Sequence, residues 1–590
     1  MTVYDYAVIA FYLVFMLLLG PVYKSFSKTS SDFFRGGGGM LWWVVGSSAF
    51  MTNFSAWSFT GGAAKAYETG TFFLILFACN FVALWFAYFF TAPRYRQMRI
   101  ITPVEAVRNR YGDTNEMIFA WLPIISQVFF GGIALYVISV FMSGVFNIKM
   151  QYLIISLGAV VTFMTLFGGS WAATAGDFVQ MLVVITITLV MAFLTIRHPD
   201  IQGVSGLLEK MPSRHFHWEE FSRPWVIIFF AATLLLNQTV QMNSMLIGAA
   251  RYVFVKNGTD AKKAVLVSIA GFLLLSPIWM IPALASAVLN PDMESLYPML
   301  KNPNEAAYVE IAKQLLPQGL VGLLVCAIFA ATLTTLNSQL NIVSGTFVRN
   351  FYIRIVNKDA SEKRQILVGR LFILAFGILW IVAALFFNSL KEVKLFDLIL
   401  ICAASIGIPT AVPLFFGMFI KRTPPWSAWA TLVIGFAVSL SLRFILKGDF
   451  IQNLFNPAVP FNGNEISDLN IAITTAVLII VCVSVYLFSM LFYKNTSLQY
   501  RQQVESFFTQ MNTPIDMETE HPGSKQGDMR QYGVLSSLCM VYGTVVLLLL
   551  LIPNKIEARA CILFSGGAIL LIGFILRIIA KRIRAKFVEI

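Results

Sequence analysis

Fifteen times along its 590 residues the chain runs for about twenty residues with scarcely a charge, the length an α-helix needs to cross about 30 Å of hydrocarbon. The runs lie near 4–24, 41–69, 71–92, 117–145, 150–168, 172–196, 225–248, 263–290, 319–348, 366–389, 395–420, 427–446, 470–493, 533–553 and 559–580. Only 12% of residues are charged and 58% are hydrophobic, against about 25% charged in soluble proteins. Too little polar surface exists to face water, so the solvent is lipid. In lipid every backbone amide must be satisfied within its own segment, which leaves helices. The expectation is an all-α polytopic membrane protein.

The net charge is +13, but it is not a nucleic-acid footprint. The basic residues sit in short connections between runs rather than on one stripe. With the N-terminus outside and the C-terminus inside, the inner connections hold 28 Lys and Arg and the outer ones 12, as the positive-inside rule requires. That bias needs an odd number of helices and predicts a multi-pass protein of the cell (inner or plasma) membrane. The opening MTVYDYAVIA carries Asp5 and no basic stretch, so it reads as a retained first helix. The six cysteines lie in or beside apolar runs without metal spacing, which predicts buried thiols. His215 and His217 form an isolated HxH in an outer connection, where loop residues are the ordinary reading. The stretch 495–532 is polar and reads as a cytoplasmic linker, and 291–318 contains a short amphipathic helix expected on the surface. No P-loop, nucleotide fingerprint or HExxH is present, so ATP-driven transport and intramembrane metalloproteolysis lack their motifs.

Polar residues inside a span are costly unless they face protein, water or ligand. The second run carries MTNFSAWSFTGG, Met51 to Gly62. A break there would free carbonyls around Met51 and Phe54 to bind a cation; the alternative is a small-residue packing face. The seventh run carries NQTVQMNS, Asn237 to Ser244, five runs later, the offset at which inverted-repeat transporters place paired discontinuous helices. In the ninth run Ala331, Thr334, Thr335 and Ser338 follow i, i+3, i+4, i+7 spacing and share a face. Neutral oxygens of that kind suit a releasable sodium, although threonines can also bond their own helix. Asp177, in FGGSWAATAGDFVQ, lies about six residues inside the sixth run. It is a functional carboxylate unless it caps or snorkels.

At these residues the sequence resembles the sodium:solute symporter family, which includes sodium-coupled sugar, proline and sialic acid transporters. The resemblance covers residues 1–495, with NFSA in the second run, GG…GDFVQ at the sixth and a hydroxyl-rich ninth run ending in LNS, in family order. It implies a five-plus-five inverted-repeat core in helices two to eleven, working by alternating access, with additional N- and C-terminal helices. It also implies a sodium site built from the carbonyls of Met51, Phe54 and Ala331 with the hydroxyls of Thr334 and Thr335. Members with a second sodium have ligands matching Asp177, Thr334, Asn337 and Ser338. Here threonines replace the usual serine pair, and Asn337 stands where a serine is expected. Sodium ions, one or two, are the only cofactor implied, with no organic cofactor and no enzyme activity. The terminal helix pair lies outside the common plan and receives no role from it.

The corresponding division is a first helix and inner loop over 1–40, the transporter core over 41–420, two helices over 421–494, the linker over 495–532 and the terminal pair over 533–590. Asn53, Ser55, Trp57, Ser58, Asn80, Gln127, Asn237, Gln238 and Gln241 are candidates to line a solute pocket. No Lys or Arg lies mid-membrane opposite the break, so a neutral solute is favoured, a sugar or sugar derivative first. An amino acid or organic acid, a proton-coupled carrier using Asp177, and a solute sensor are the alternatives. The partners expected are the small solute and the lipid bilayer, with no nucleic acid and no obligatory protein partner evident.

Overall fold

The computed structural model describes residues 2–23, 39–53, 56–100, 102–218, 222–246, 252–298, 300, 302–389, 395–446, 448–516 and 524–588. Among these, twelve helices are long and apolar enough to cross a membrane.

The chain begins with α1 (Val3–Tyr23) and α2 (Trp42–Asn53), followed after a short turn of helix at Ala56–Phe59 by α3 (Gly61–Thr69) and α4 (Leu74–Phe86). Next come α5 (Asp113–Phe146), α6 (Met150–Ile196), α7 (Pro224–Met242) and α8 (Gly258–Leu289). The fifth and sixth runs, expected as separate spans, are one helical stretch of 47 residues. At 1.5 Å per residue it would measure about 70 Å if straight, over twice the hydrocarbon thickness. It holds two apolar segments, the shorter Met150–Phe163 and the span-length Thr174–Ile196.

A nine-residue helix, α9 (Ala307–Leu315), precedes α10 (Leu320–Phe347). The surface position expected for α9 is not what the structure has. Ala307, Tyr308, Val309, Ile311 and Ala312 are buried, and the Tyr308 ring meets Phe59 edge-on at 5.0 Å. Its apolar face is thus used against the end of the broken helix. Further along lie α11 (Glu362–Ser389), α12 (Ile408–Phe416), α13 (Ser427–Ile445), α14 (Gly463–Phe488), α15 (Leu498–Asn512), α16 (Ser524–Leu548) and α17 (Ile556–Val588), with shorter helices such as Leu395–Cys402 between them.

The central helix is α10, which packs on α1, α5 and α6 and buries almost every residue from Leu323 to Ile328. The periphery has the opposite character. On α11, Ile373, Phe376, Trp380 and Ala384 face inward while Leu371, Leu374, Ile378 and Val382 are exposed. A helix apolar on both faces is at home only where the outer solvent is hydrocarbon. Close packing relies on glycine: a Cβ at Gly131 of α5 would stand 2.0 Å from the Trp380 ring. Asp5 of α1 anchors the start of α10, accepting from the N–H groups of Gly319 at 2.9 Å and Gly322 at 3.0 Å. Those are among the amides a helix start leaves without an intrahelical partner.

The stretch expected as a cytoplasmic linker holds α15, packed on the short helices Ala92–Gln97 and Pro103–Tyr111. Arg110, fully buried, donates to the carbonyls of Gly417 (3.1 Å) and Ile420 (2.8 Å), to Thr423 Oγ1 (2.7 Å) and to the Tyr500 hydroxyl (2.9 Å). Burial pushes the Tyr500 phenol up to about 12 despite the neighbouring guanidinium, so it stays a neutral acceptor. Ser497 caps α15 by accepting from Tyr500 N–H at 3.2 Å.

Candidate cation and solute site

In the second run the described helix runs to Asn53 and the described residues resume at Ala56. Phe54 and Ser55, expected to supply a carbonyl and a pocket hydroxyl, lie outside the described residues, as do the side chains of Asn53, Thr334 and Ser338. Thr52 Oγ1 donates to the Ser48 carbonyl at 2.8 Å and Thr60 Oγ1 to the Ala56 carbonyl at 3.1 Å. Such back-bonding bends a helix and competes with its ladder. Thr60, at φ −117° and ψ −89°, is non-helical and interrupts the helix before Gly61.

The Ala56–Phe59 turn is met from across the core. The amide of Ala56 donates to Thr332 Oγ1 of α10 at 3.1 Å. Thr332 in turn donates to the Ile328 carbonyl at 3.1 Å. Thr332 was not among the residues singled out in the sequence, because it points off the face shared by Ala331, Thr334 and Thr335. On that face Ala331 and Met51 are fully buried and Thr335 half-buried. Thr335 Oγ1 donates to the Ala331 carbonyl at 3.2 Å. A hydroxyl that spends its hydrogen this way keeps both lone pairs, which aims acceptor oxygen away from its own helix.

Asp177 of α6 is 1% exposed and accepts a hydrogen bond from Ser48 Oγ of α2. Asn337 of α10 accepts one from Thr165 Oγ1, also on α6. Two of the four residues expected at a second cation site are thus tied to other helices, Asp177 to α2 through Ser48 and Asn337 to α6 through Thr165. Neither partner carries a sequence signal beyond being a hydroxyl within an apolar run.

The seventh run departs from expectation. α7 is unbroken through Asn237, Gln238 and Gln241 and ends at Met242. Its polar side chains are satisfied sideways: Gln241 Nε2 donates to Asn237 Oδ1 and, at 3.0 Å, to the Ala403 carbonyl. Asn243 Nδ2 caps the end, bonding the Thr239 and Ala83 carbonyls at 3.0 Å each. The acceptor Ala403 opens a wide π turn over Ala403–Gly407, and the preceding helix Leu395–Cys402 packs on α3. This segment therefore connects the polar run to the broken helix.

Of the other pocket candidates, Ser58 is buried and Trp57, Asn80, Gln127 and Gln238 are half-buried. The helix bearing Gln127 packs on the Ala56–Phe59 turn. Gln127 Oε1 is buried without a hydrogen-bond partner among the described residues. Lys65 of α3 stands 3.6 Å from Asp468 of α14, both nearly buried. His215 is fully buried and packs against Gly70, while its carbonyl accepts from Thr71 Oγ1 at 2.7 Å. It is a packing residue rather than a loop residue.

The family model described as the sodium:solute symporter family matches residues 33–435. The chain belongs to the sodium:solute symporter family. It is a multi-pass membrane protein and a secondary transporter, not an enzyme. Among similar proteins is the sodium/sialic acid symporter SiaT of Proteus mirabilis, 26% identical over 453 residues, covering 75% of this chain and 89% of that one. The high-affinity proline transporter PutP of Bacillus subtilis is 26% identical, covering 74% and 92%. The human sodium/myo-inositol cotransporter 2 is 26% identical, covering 76% and 70%. Among solved structures, a substrate-bound, outward-open Na+-coupled sialic acid symporter superposes with a TM-score of 0.63 at 19% identity, covering 84% of this chain and 98% of that one. The fold of this symporter is thus that of a sodium-coupled carrier.

Proposed function

We propose that this symporter couples inward sodium movement to uptake of a small, neutral, hydrogen-bonding solute by alternating access, with a sugar or sugar derivative the favoured class. The observation that carries the reading is the hydrogen bond from Ala56 N–H to Thr332 Oγ1 at 3.1 Å, which holds the interrupted helix against α10. The carbonyls of Met51, Phe54 and Ala331 with the hydroxyls of Thr334 and Thr335 form the principal sodium site. Asp177, Thr334, Asn337 and Ser338 form a second one. Asn53, Ser55, Trp57, Ser58, Asn80, Gln127, Asn237, Gln238 and Gln241 line the solute path. A neutral solute is favoured because Lys65 already stands beside Asp468 and offers no uncommitted cation for a carboxylate.

Fifteen membrane segments fit this reading, with the N-terminus outside, the C-terminus inside, the inverted-repeat core over 41–420 and further helices beyond it. Each sodium entering gains about 2.3 kcal/mol per 100 mV. Two give about 4.6 kcal/mol and support accumulation on the order of a thousandfold; one gives about the square root of that.

Thermal unfolding of the purified protein in sodium, potassium and choline chloride, across sugars, amino acids and carboxylates, tests the proposal. Sodium-selective stabilisation that deepens with one solute and disappears in Thr335→Ala is the expected result. Equal stability in sodium and potassium with every solute overturns it.

A further inference from the structure

The helix pair α16–α17 follows the region matched by the family, yet its first turns reach the start of the broken helix. Gln531 of α16, 5% exposed, holds the backbone of residues 39–41 with both ends of its carboxamide. Its Oε1 accepts from Leu41 N–H at 3.1 Å and its Nε2 donates to the Gly39 carbonyl at 2.9 Å. One carboxamide matches one donor and one acceptor, as a neighbouring strand would. The Leu41 amide immediately precedes α2, where a helix start has no intrahelical acceptor to offer. Next to it, the Trp43 indole donates to the Tyr532 hydroxyl at 3.4 Å. From the other side Met40 N–H donates to the Phe254 carbonyl at 3.0 Å, and Lys256, two residues on, pairs with Asp528 of α16 at 2.5 Å. The start of α2 is therefore gripped between the 252–256 segment and the terminal pair.

The sequence just before this point is Gly36-Gly37-Gly38-Gly39. Glycine restrains the backbone least of all residues, so bonds made at residues 39–43 decide where α2 begins. α2 carries Ser48, the partner of Asp177, and Met51.

We propose that Gln531 is a positioning residue for transport. It fixes the start of α2, and through α2 the placement of Met51 and Ser48 against α10 and α6. The inference rests on the reading of α2 and α10 as the sodium site, and it gives the terminal helix pair a role in that site.

The test uses the full-length protein in detergent, with hydrogen–deuterium exchange over residues 39–48 in potassium chloride and sodium titration of thermal stability. Gln531→Leu removes both bonds and is expected to speed exchange at residues 40–45 about tenfold. It is also expected to raise the half-stabilising sodium concentration about three- to tenfold. Gln531→Glu keeps the acceptor for Leu41 N–H and restores most of the protection. Ser536→Ala removes the hydroxyl bonded to the Gly573 carbonyl at 2.8 Å inside the pair and is expected to leave the sodium titration unmoved. Unchanged exchange at 39–48 in Gln531→Leu overturns the proposal. So does faster exchange without a sodium shift, or an equal sodium shift in Ser536→Ala. Should the unmodified protein show no preference for sodium over potassium, the sodium reading fails, and the positioning role with it. The exchange arm then still reports separately whether the grip exists.

Discussion

Ser48 on α2 donates its hydroxyl hydrogen to the carboxylate of Asp177 on α6, across 129 residues of sequence. The bond joins α2 to the helix that supplies the buried carboxylate, at a depth where charge is costly. A carboxylate offers several lone pairs, so the same group can serve packing and a cation. Asp177→Asn is expected to reduce the Hill slope of sodium-dependent thermal stabilisation from near two to near one. Ser48→Ala keeps the slope and raises the half-stabilising sodium concentration about three- to tenfold, read from the same titration. A slope that is unchanged in Asp177→Asn rules out the second site.

The Thr332 hydroxyl accepts from the Ala56 amide and also donates to its own helix. Thr332→Val preserves shape and removes both bonds, leaving a buried N–H unsatisfied at a cost of about 1–3 kcal/mol. Melting temperature should fall in sodium and potassium alike, with a further weakening of the sodium response. Thr335→Ala, by contrast, should leave the melting temperature in potassium nearly unchanged and abolish the sodium increment.

Arg110 reaches five acceptors in a fully buried position, a fork lysine cannot reproduce. Arg110→Lys is expected to cost about 3 kcal/mol and to loosen α15. Limited proteolysis, followed by mass spectrometry of cleavage between residues 494 and 515, should show faster cutting than in the unmodified protein. Equal cutting rates would mean that α15 is held by its apolar face alone.

Lys65 and Asp468 stand 3.6 Å apart with side chains 8% and 2% exposed. Removing one charge of such a pair typically costs about 3–5 kcal/mol, whereas replacing both with apolar residues is often neutral. Lys65→Met should therefore lower the melting temperature sharply, and Lys65→Met with Asp468→Leu should recover most of the loss. A double variant as unstable as the single one would assign Lys65 a role beyond that pairing.

Gly131 lets the Trp380 ring lie where a Cβ would stand 2.0 Å away, and the indole N–H donates to the Gln127 carbonyl at 2.8 Å. Gly131→Ala must displace the indole or the helix, at about 1–3 kcal/mol. The fall in melting temperature should be accompanied by a shift in tryptophan fluorescence.

What was legible was local. The non-helical Thr60 within the second run fits MTNFSAWSFTGG itself, since threonine and serine bond their own carbonyls within four residues, as Thr52 and Thr60 do. The polar run of α7 was legible as an anomaly but not in its outcome. Whether Gln241 and Asn237 break a helix or bond sideways depends on Ala403, 162 residues away. α9 was legible as amphipathic, but the face that looked suited to a surface is covered by Phe59 and its neighbours.

The sequence by itself determined that this chain lives in lipid and how its apolar runs are spaced. Those properties depend on the transfer of successive side chains from water and on backbone bonds closed within each helix. Only the tertiary structure decided that Ser48 meets Asp177, Thr165 meets Asn337, Thr332 receives Ala56 and Gln531 brackets residues 39–41. These pairs are separated by 129, 172, 276 and 490 residues. No helical period records such separations, because inside a membrane a hydroxyl or carboxamide finds its partner by where whole helices pack, not by its place along its own.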